Sequence, residues 1–194
     1  FISEFSRDAW GMSADNIDVI HHSVDTETFK LHEVEKSGNV LSVANDFINR
    51  DYCLNYSGWK RITEGLDVRV VGDTEGLSKP ASSTKELATE YNTASVFLNT
   101  STLSPIPTSL LEAMSCGCAV VSTATCMIPE VIENGKNGFI SNDESELRGF
   151  IEELLKNPEL ANKVGNEARK TVVERFSEKV FIDNWNNKFD EVMK

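Results

Sequence analysis

At 194 residues, 40% of them hydrophobic, the chain can bury its own core, as one domain or one domain with a helical appendage. Its formal net charge of -12 argues against a nucleic-acid surface, because phosphate backbones are held by clustered Lys and Arg and the 19 basic residues here are scattered. No apolar run approaches the roughly 20 residues that cross a bilayer and nothing resembles a signal peptide, so a cytoplasmic protein without a transmembrane segment is expected.

Extended and helical patterns alternate along the chain. A first strand is expected over 16–22 (NIDVIHH), a short apolar strand over 39–44 (NVLSVA), and a helix over 51–63 that ends in basic residues. The β-rich stretch VRVVG (68–72) stops at Gly-Asp, followed by a turn-rich loop over 74–83, a helix over 84–93 and a strand over 95–99. Pro107 opens a helix over 108–115; a strand (119–122), a short helix (129–133) and a last strand (138–140) follow. This order implies right-handed β-α-β units, hence an α/β fold with a mostly parallel sheet and helices on both faces.

From residue 143 onward the strand signal disappears, and 144–155, 158–176 and 177–193 read as amphipathic helices. The last carries Phe181, Trp185 and Phe189 four residues apart. Such a stripe is usually core; on a helix that follows a completed sheet it could also pack against another domain. With no repeat and no internal linker, the chain is read as a single domain over 1–194, with 1–25 a linker or remnant of a preceding domain and 143–194 a helical tail.

Three of the four cysteines, Cys116, Cys118 and Cys126, crowd around one apolar segment, and Cys53 stands apart. Cys116-Gly-Cys118 lacks zinc-like spacing and has no nearby His, so buried reduced thiols are expected and no metal. His21, His22 and His32 read as linker or surface residues.

The segment 104–142, SPIPTSLLEAMSCGCAVVSTATCMIPEVIENGKNGFISN, constrains function most. A Pro-containing loop leads into a helix bearing one acid, Glu112, followed by Gly117, an apolar strand and a Pro-Glu helix start. That order builds a pocket at the carboxyl end of a parallel sheet, where a phosphorylated small molecule can sit on a helix N-terminus.

These residues carry a resemblance. The segment is similar to the carboxyl-terminal donor-binding half of the family-4 retaining glycosyltransferases (glycosyl transferases group 1), whose GT-B fold pairs two Rossmann-like domains. VIHHSVDTETF (19–29) resembles the family's interdomain segment, VLSVANDFINRD (40–51) its first strand and phosphate loop, and DVRVVGD (67–73) its next strand. The resemblance implies a Rossmann-like three-layer α/β/α sheet with carboxyl-terminal helices, one half of a GT-B fold.

It also implies a site. Glu112 matches the second glutamate of the family's Glu-x7-Glu pattern, which accepts hydrogen bonds from the nucleotide ribose; an ionised carboxylate can take two hydroxyl donors. Ser104 stands where the family has the first glutamate, which contacts the transferred sugar. The family's phosphate-binding Arg and Lys fall at Asn45 and Arg50, leaving the guanidinium of Arg50 as the main cation. Lys60 and Arg61 read as a solvated helix end. The helix start at Pro107, Thr108 and Ser109, running into Leu110, should add unpaired N–H groups and the helix dipole, with Thr108 Oγ an extra donor. The nucleobase is expected near Gly72, Asp73 and the following loop, which offers no aromatic residue for stacking. Catalytic roles thus fall to Ser104, Arg50 and Glu112, and substrate binding to Asn45, Gly72, Asp73, Pro107, Thr108, Ser109 and Leu110.

The implied reaction moves a sugar from a nucleotide-diphosphate donor to an acceptor hydroxyl with retention, without a metal cofactor. The acceptor site would lie on an amino-terminal domain that these 194 residues lack. A catalytically inactive nucleotide-sugar-binding module is the main alternative. An epimerase or phosphorylase of the same fold is weaker, since an epimerase should carry catalytic acids and His in VVSTATCMIPEVI and finds none. A dinucleotide-binding dehydrogenase would need G-x-G-x-x-G where SVANDF stands.

Overall fold

A computed structural model describes residues 1–11 and 17–193. In chain order its elements are α1 (Glu4–Ala9), β1 (Val40–Val43), α2 (Asp51–Leu54), α3 (Tyr56–Ile62), β2 (Val68–Val71), α4 (Thr84–Thr93) and β3 (Val96–Asn99). Then come α5 (Thr108–Ser115), β4 (Ala119–Ser122), α6 (Ile128–Val131), β5 (Phe139–Ile140), α7 (Glu144–Lys156), α8 (Pro158–Phe176) and α9 (Glu178–Val192). The strands form one sheet in the order β2-β1-β3-β4-β5, with every pairing parallel.

Short β-branched strands with apolar residues at successive positions are what a sheet covered on both faces requires. Leu41, Val71, Phe97 and Val120 point to one face, packed against residues of α4, α5 and α8. Val40, Val96, Leu98 and Val121 point to the other, against Trp59 and Ile62 of α3 and Leu147, Ile151 and Leu154 of α7. The result is the expected three-layer α/β/α Rossmann-like arrangement. Helix starts follow their capping residues: the Ser83 side chain accepts the Glu86 N–H at α4, Asp143 accepts from Ser145 and Glu146 at α7, and Asn157 accepts from Leu160 at α8.

The chain leaves β1 for β2 on one side, then crosses to β3 on the other side of β1. Between β1 and β3 the connections diverge, and the crevice beyond the carboxyl ends of these strands is where α/β sheets bind ligands.

Several expectations are corrected. Of the strand expected over 16–22, residue 16 lies outside the described residues, and 17–22 form no strand. There the Ile20 N–H donates to the Phe1 carbonyl and the Val24 N–H to that of Phe176, so the hydrogen bonds go to the chain's own flanks rather than to a sheet. The single helix expected over 51–63 is two, because Asn55 takes a left-handed conformation (φ 54°) and its side chain caps Gly58. The short helix expected over 129–133 begins one residue earlier, at Ile128, with Pro129 in its first turn. The helices after β5 add packing that the sequence did not specify: α7 covers one face of the sheet, and Ala168, Val172 and Phe176 of α8 enter the core on the other. The stripe on α9 is not core; Trp185 is 39% and Phe189 58% exposed, and α9 buries none of its described residues.

Candidate functional site

An open cleft of about 1400 Å³ lies beyond β1 and β3 at the switch point. The loop after β1 supplies Asn45 and Arg50 to it; the loop after β3 and the start of α5 supply Ser104, Pro107, Thr108, Ser109 and Glu112. Seven residues expected at the site from sequence therefore share one cavity wall. Gly72, Asp73 and Leu110 do not line it.

Gly72 instead holds the loops together. Its N–H donates to the Lys79 carbonyl at 3.1 Å and its carbonyl accepts from Ser78 Oγ at 2.7 Å, so neither group is free. It sits at φ +137°, and a Cβ there would lie 2.0 Å from the Ala44 carbonyl oxygen. Such closeness brings the next N–H, that of Asp73, to Asn45 Oδ1 at 2.8 Å. With its oxygen engaged, Asn45 has its amide NH2 left as a neutral donor. Leu110 is fully buried, and its N–H donates to the Pro107 carbonyl.

Arg50 is exposed, precedes α2, and is the one cation lining the cleft among the described residues. No described acid forms an ion pair with it, which leaves its planar fork of donors available for an anion. Lys60 lies over the Tyr56 ring and Arg61 pairs with Glu144 at 2.6 Å, so both are engaged outside the cleft.

Across the cleft Pro107, which has no N–H, immediately precedes α5; the expected donors there reduce to two. The N–H groups of Thr108 and Ser109 have no acceptor among the described residues, as the first turn of a helix dictates. Partial positive charge at this helix start faces the same cavity as Arg50. Ser104 is half-buried in the loop before it.

Glu112 lies one turn into α5. Tyr91 Oη, from α4, donates to its Oε2 at 2.8 Å. Burial pushes the Glu112 carboxyl above the usual carboxylate range, and the bond from Tyr91 opposes that rise. Tyr91 is fully buried, edge-on to Phe29 and Phe97, and burial together with Glu112 drives its hydroxyl well above the usual tyrosine range, so it stays a donor. Sequence reasoning missed Tyr91. The available signal was a large amphipathic ring in the expected helix 84–93, whose hydroxyl needs a partner once buried.

A second missed feature is the network that shapes the loop after β3. Asn99 is buried, donates to Ser122 Oγ at 2.8 Å and accepts from Ser101 Oγ at 2.9 Å, while Thr125 Oγ1 donates to the Ser101 carbonyl at 2.8 Å. The Thr102 N–H donates to the Cys53 carbonyl at 2.8 Å, tying this loop to α2. Together these bonds fix the approach of the Ser104 loop to Arg50.

All four cysteines are free thiols. Cys116 and Cys118 are buried, which pushes them up to about 12 and about 11, and Cys126 is half-buried. Another cavity, about 580 Å³, lies by Ser95 and Ala119 at the amino ends of β3 and β4, away from the switch point, with Lys36 its one charged lining residue. No helix among the described residues is long and apolar enough to cross a membrane.

Comparison with known proteins agrees with this fold. The family model described as "Glycosyl transferases group 1" matches residues 79–171, from the loop after β2 into α8. N-acetyl-alpha-D-glucosaminyl L-malate synthase of Bacillus anthracis is 32% identical over 87 residues, 44% of this chain and 23% of that protein. A probable sucrose-phosphate synthase of Thermosipho melanesiensis is 34% identical over 99 residues, 49% of this chain and 23% of that one. The match thus spans under a quarter of the length of either relative.

Among solved structures, sucrose-phosphate synthase from Thermosynechococcus elongatus superposes with a TM-score of 0.82 at 15% identity, over 98% of this chain and 57% of that one. HepE of Anabaena, solved with UDP, gives 0.80 at 17% identity over 98% and 62%. The carboxyl-terminal domain of a group 1 glycosyl transferase from Francisella tularensis gives 0.66 at 14% identity over 80% of this chain and 100% of that one. Residues 79–171 accordingly match the family of glycosyl transferases group 1, and the chain is similar in fold to one half of a GT-B glycosyltransferase.

Proposed function

We propose that this chain is the donor-binding half of a retaining glycosyltransferase, which takes a sugar from a nucleotide-diphosphate donor to an acceptor hydroxyl. The observation that carries the reading is the meeting of three features around one cleft at the switch point: Arg50, the free N–H groups of Thr108 and Ser109, and the carboxylate of Glu112. HepE of Anabaena, similar in fold, was solved with UDP and with UDP-glucose, which supports a nucleotide in the corresponding crevice.

On this reading Glu112 accepts the ribose hydroxyls. Arg50 and the start of α5 face the diphosphate, and their value grows as the leaving group gathers charge in the transition state. Asn45 adds one neutral donor, Ser104 orients the transferred sugar, and no metal cofactor is used. The turn at Gly72 and Asp73 acts by fixing Asn45, and Leu110 by seating α5. The acceptor site belongs to a second domain facing the cleft.

A second reading, a nucleotide-sugar-binding module without turnover, is favoured by the neutral Ser104 and by the presence of one cation in the cleft. Saturation-transfer NMR with a panel of nucleotide sugars tests both. Saturation of ribose protons by one donor is expected, and its absence with every donor overturns the site. Slow hydrolysis of the bound donor distinguishes the enzyme from the module.

A further inference from the structure

Glu112 does not stand alone in the cleft wall. Its Oε2 is taken by Tyr91 Oη at 2.8 Å, leaving Oε1 without a described partner. Tyr91 itself is fully buried and does not line the cleft, so it reaches a ligand only through the carboxylate. Its ring has no freedom to turn away: Phe29 lies 5.9 Å off at 70° and Phe97 5.8 Å off at 64°. Phe97 belongs to β3, at the centre of the sheet, so the tyrosine packs directly against the central strand.

We propose that Tyr91 is a positioning residue for nucleotide recognition, pinning one carboxylate oxygen of Glu112 so that the other is presented to the ribose diol in a single orientation. The inference rests on the donor-site reading above. A glutamate side chain has rotatable bonds enough to swing a carboxylate away from a ligand, and burial of Glu112 favours its neutral form. A buried charge-assisted hydrogen bond opposes both effects. The other ionisable groups near the pair do not compete. Cys116 and Cys118 stay neutral thiols, held at about 12 and about 11, and Arg50 lines the cleft without an ion pair to Glu112.

Three readings are expected from Tyr91→Phe, which keeps the ring and removes only the hydroxyl. Affinity for a nucleoside diphosphate that the wild-type chain binds should fall roughly tenfold, in line with a hydrogen bond to a charged group. Preference for the ribo- over the 2′-deoxy- form of that ligand should shrink. The pH at which binding is lost on acidification should move upward, because the carboxylate loses the donor that favours its charged form; a purely structural role for the tyrosine would not move it. In case the variant unfolds, wild-type protein labelled at tyrosine Cζ gives an independent reading. The Tyr91 resonance should shift as Glu112 ionises, and that step should vanish in Glu112→Gln.

An unchanged affinity, ribose preference and pH profile in a folded Tyr91→Phe overturns the inference while leaving the donor site in place. A Tyr91 resonance indifferent to Glu112 overturns it equally. Failure of the wild-type chain to bind any nucleoside diphosphate overturns the donor site, and this inference with it.

Discussion

Gly72→Ala tests whether the loop contacts that shape the cleft wall are as tight as described. The glycine sits at φ +137°, and an added Cβ would lie 2.0 Å from the Ala44 carbonyl oxygen and 3.1 Å from Asn45 Oδ1. Forcing a side chain into that backbone region costs about 1–3 kcal/mol, and the overpacking costs a further 1–3 kcal/mol or so. For a domain of this size each kcal/mol lowers Tm by roughly 2–4 °C, so a fall of about 5–20 °C is expected. Gly76→Ala is the control: its φ is +76° with open space around the site, so only the dihedral cost of about 1–2 kcal/mol applies. Differential scanning calorimetry on both variants separates clash from dihedral strain. The reasoning is refuted if Gly72→Ala melts within the shift of Gly76→Ala. Because Ala44 and Asn45 line the cleft, a folded Gly72→Ala should also bind nucleotide less tightly than wild type.

Arg50→Ala should weaken a nucleoside diphosphate more than the free nucleoside, by isothermal calorimetry, and leave Tm nearly unchanged because Arg50 has no described ion pair; equal losses for both ligands would make Arg50 structural. Glu112→Gln should be as stable as wild type or more so at neutral pH. The folded carboxyl is raised above its unfolded value, so the native state binds the proton more tightly and wild-type stability declines as pH rises through that window. The two chains should converge in acid, and urea titrations across pH check it. Ser42→Ala leaves the buried Trp59 Nε1–H without the acceptor it has at 3.0 Å, which should cost about 1–3 kcal/mol in the same titrations.

Much of the architecture was legible because its signals are local. Residues 84–93 and 119–122 form the helix and the strand expected there, and the structure adds that the Ser83 side chain caps the first and that all four residues of the second are buried. What was missed depends on partners distant in sequence or on single dihedrals. Nothing in the string DYCLNYSGW announces that Asn55 takes φ 54° and caps a second helix instead of continuing the first. The apolar alternation of 17–22 suits a strand, yet no sheet edge receives it and its hydrogen bonds go to Phe1 and Phe176. For the cleft, Glu112, Arg50 and Ser104 could be named from the resemblance, since each occupies a motif position. Tyr91 could not, because its role is defined by a contact across 21 residues between α4 and α5. Gly72 was named as a ligand contact, whereas the structure uses both of its backbone groups internally.

The central claim is that Glu112 and the start of α5 form a nucleotide site. The most direct measurement is the melting temperature of wild-type and Glu112→Ala chains across a panel of nucleoside diphosphates. At a hundredfold excess over Kd, binding adds about 2.7 kcal/mol, which should raise the wild-type Tm by roughly 5–11 °C for one nucleotide. Most of that shift should be absent in Glu112→Ala. Equal shifts in both chains, or none with any nucleotide at millimolar concentration, would contradict the account.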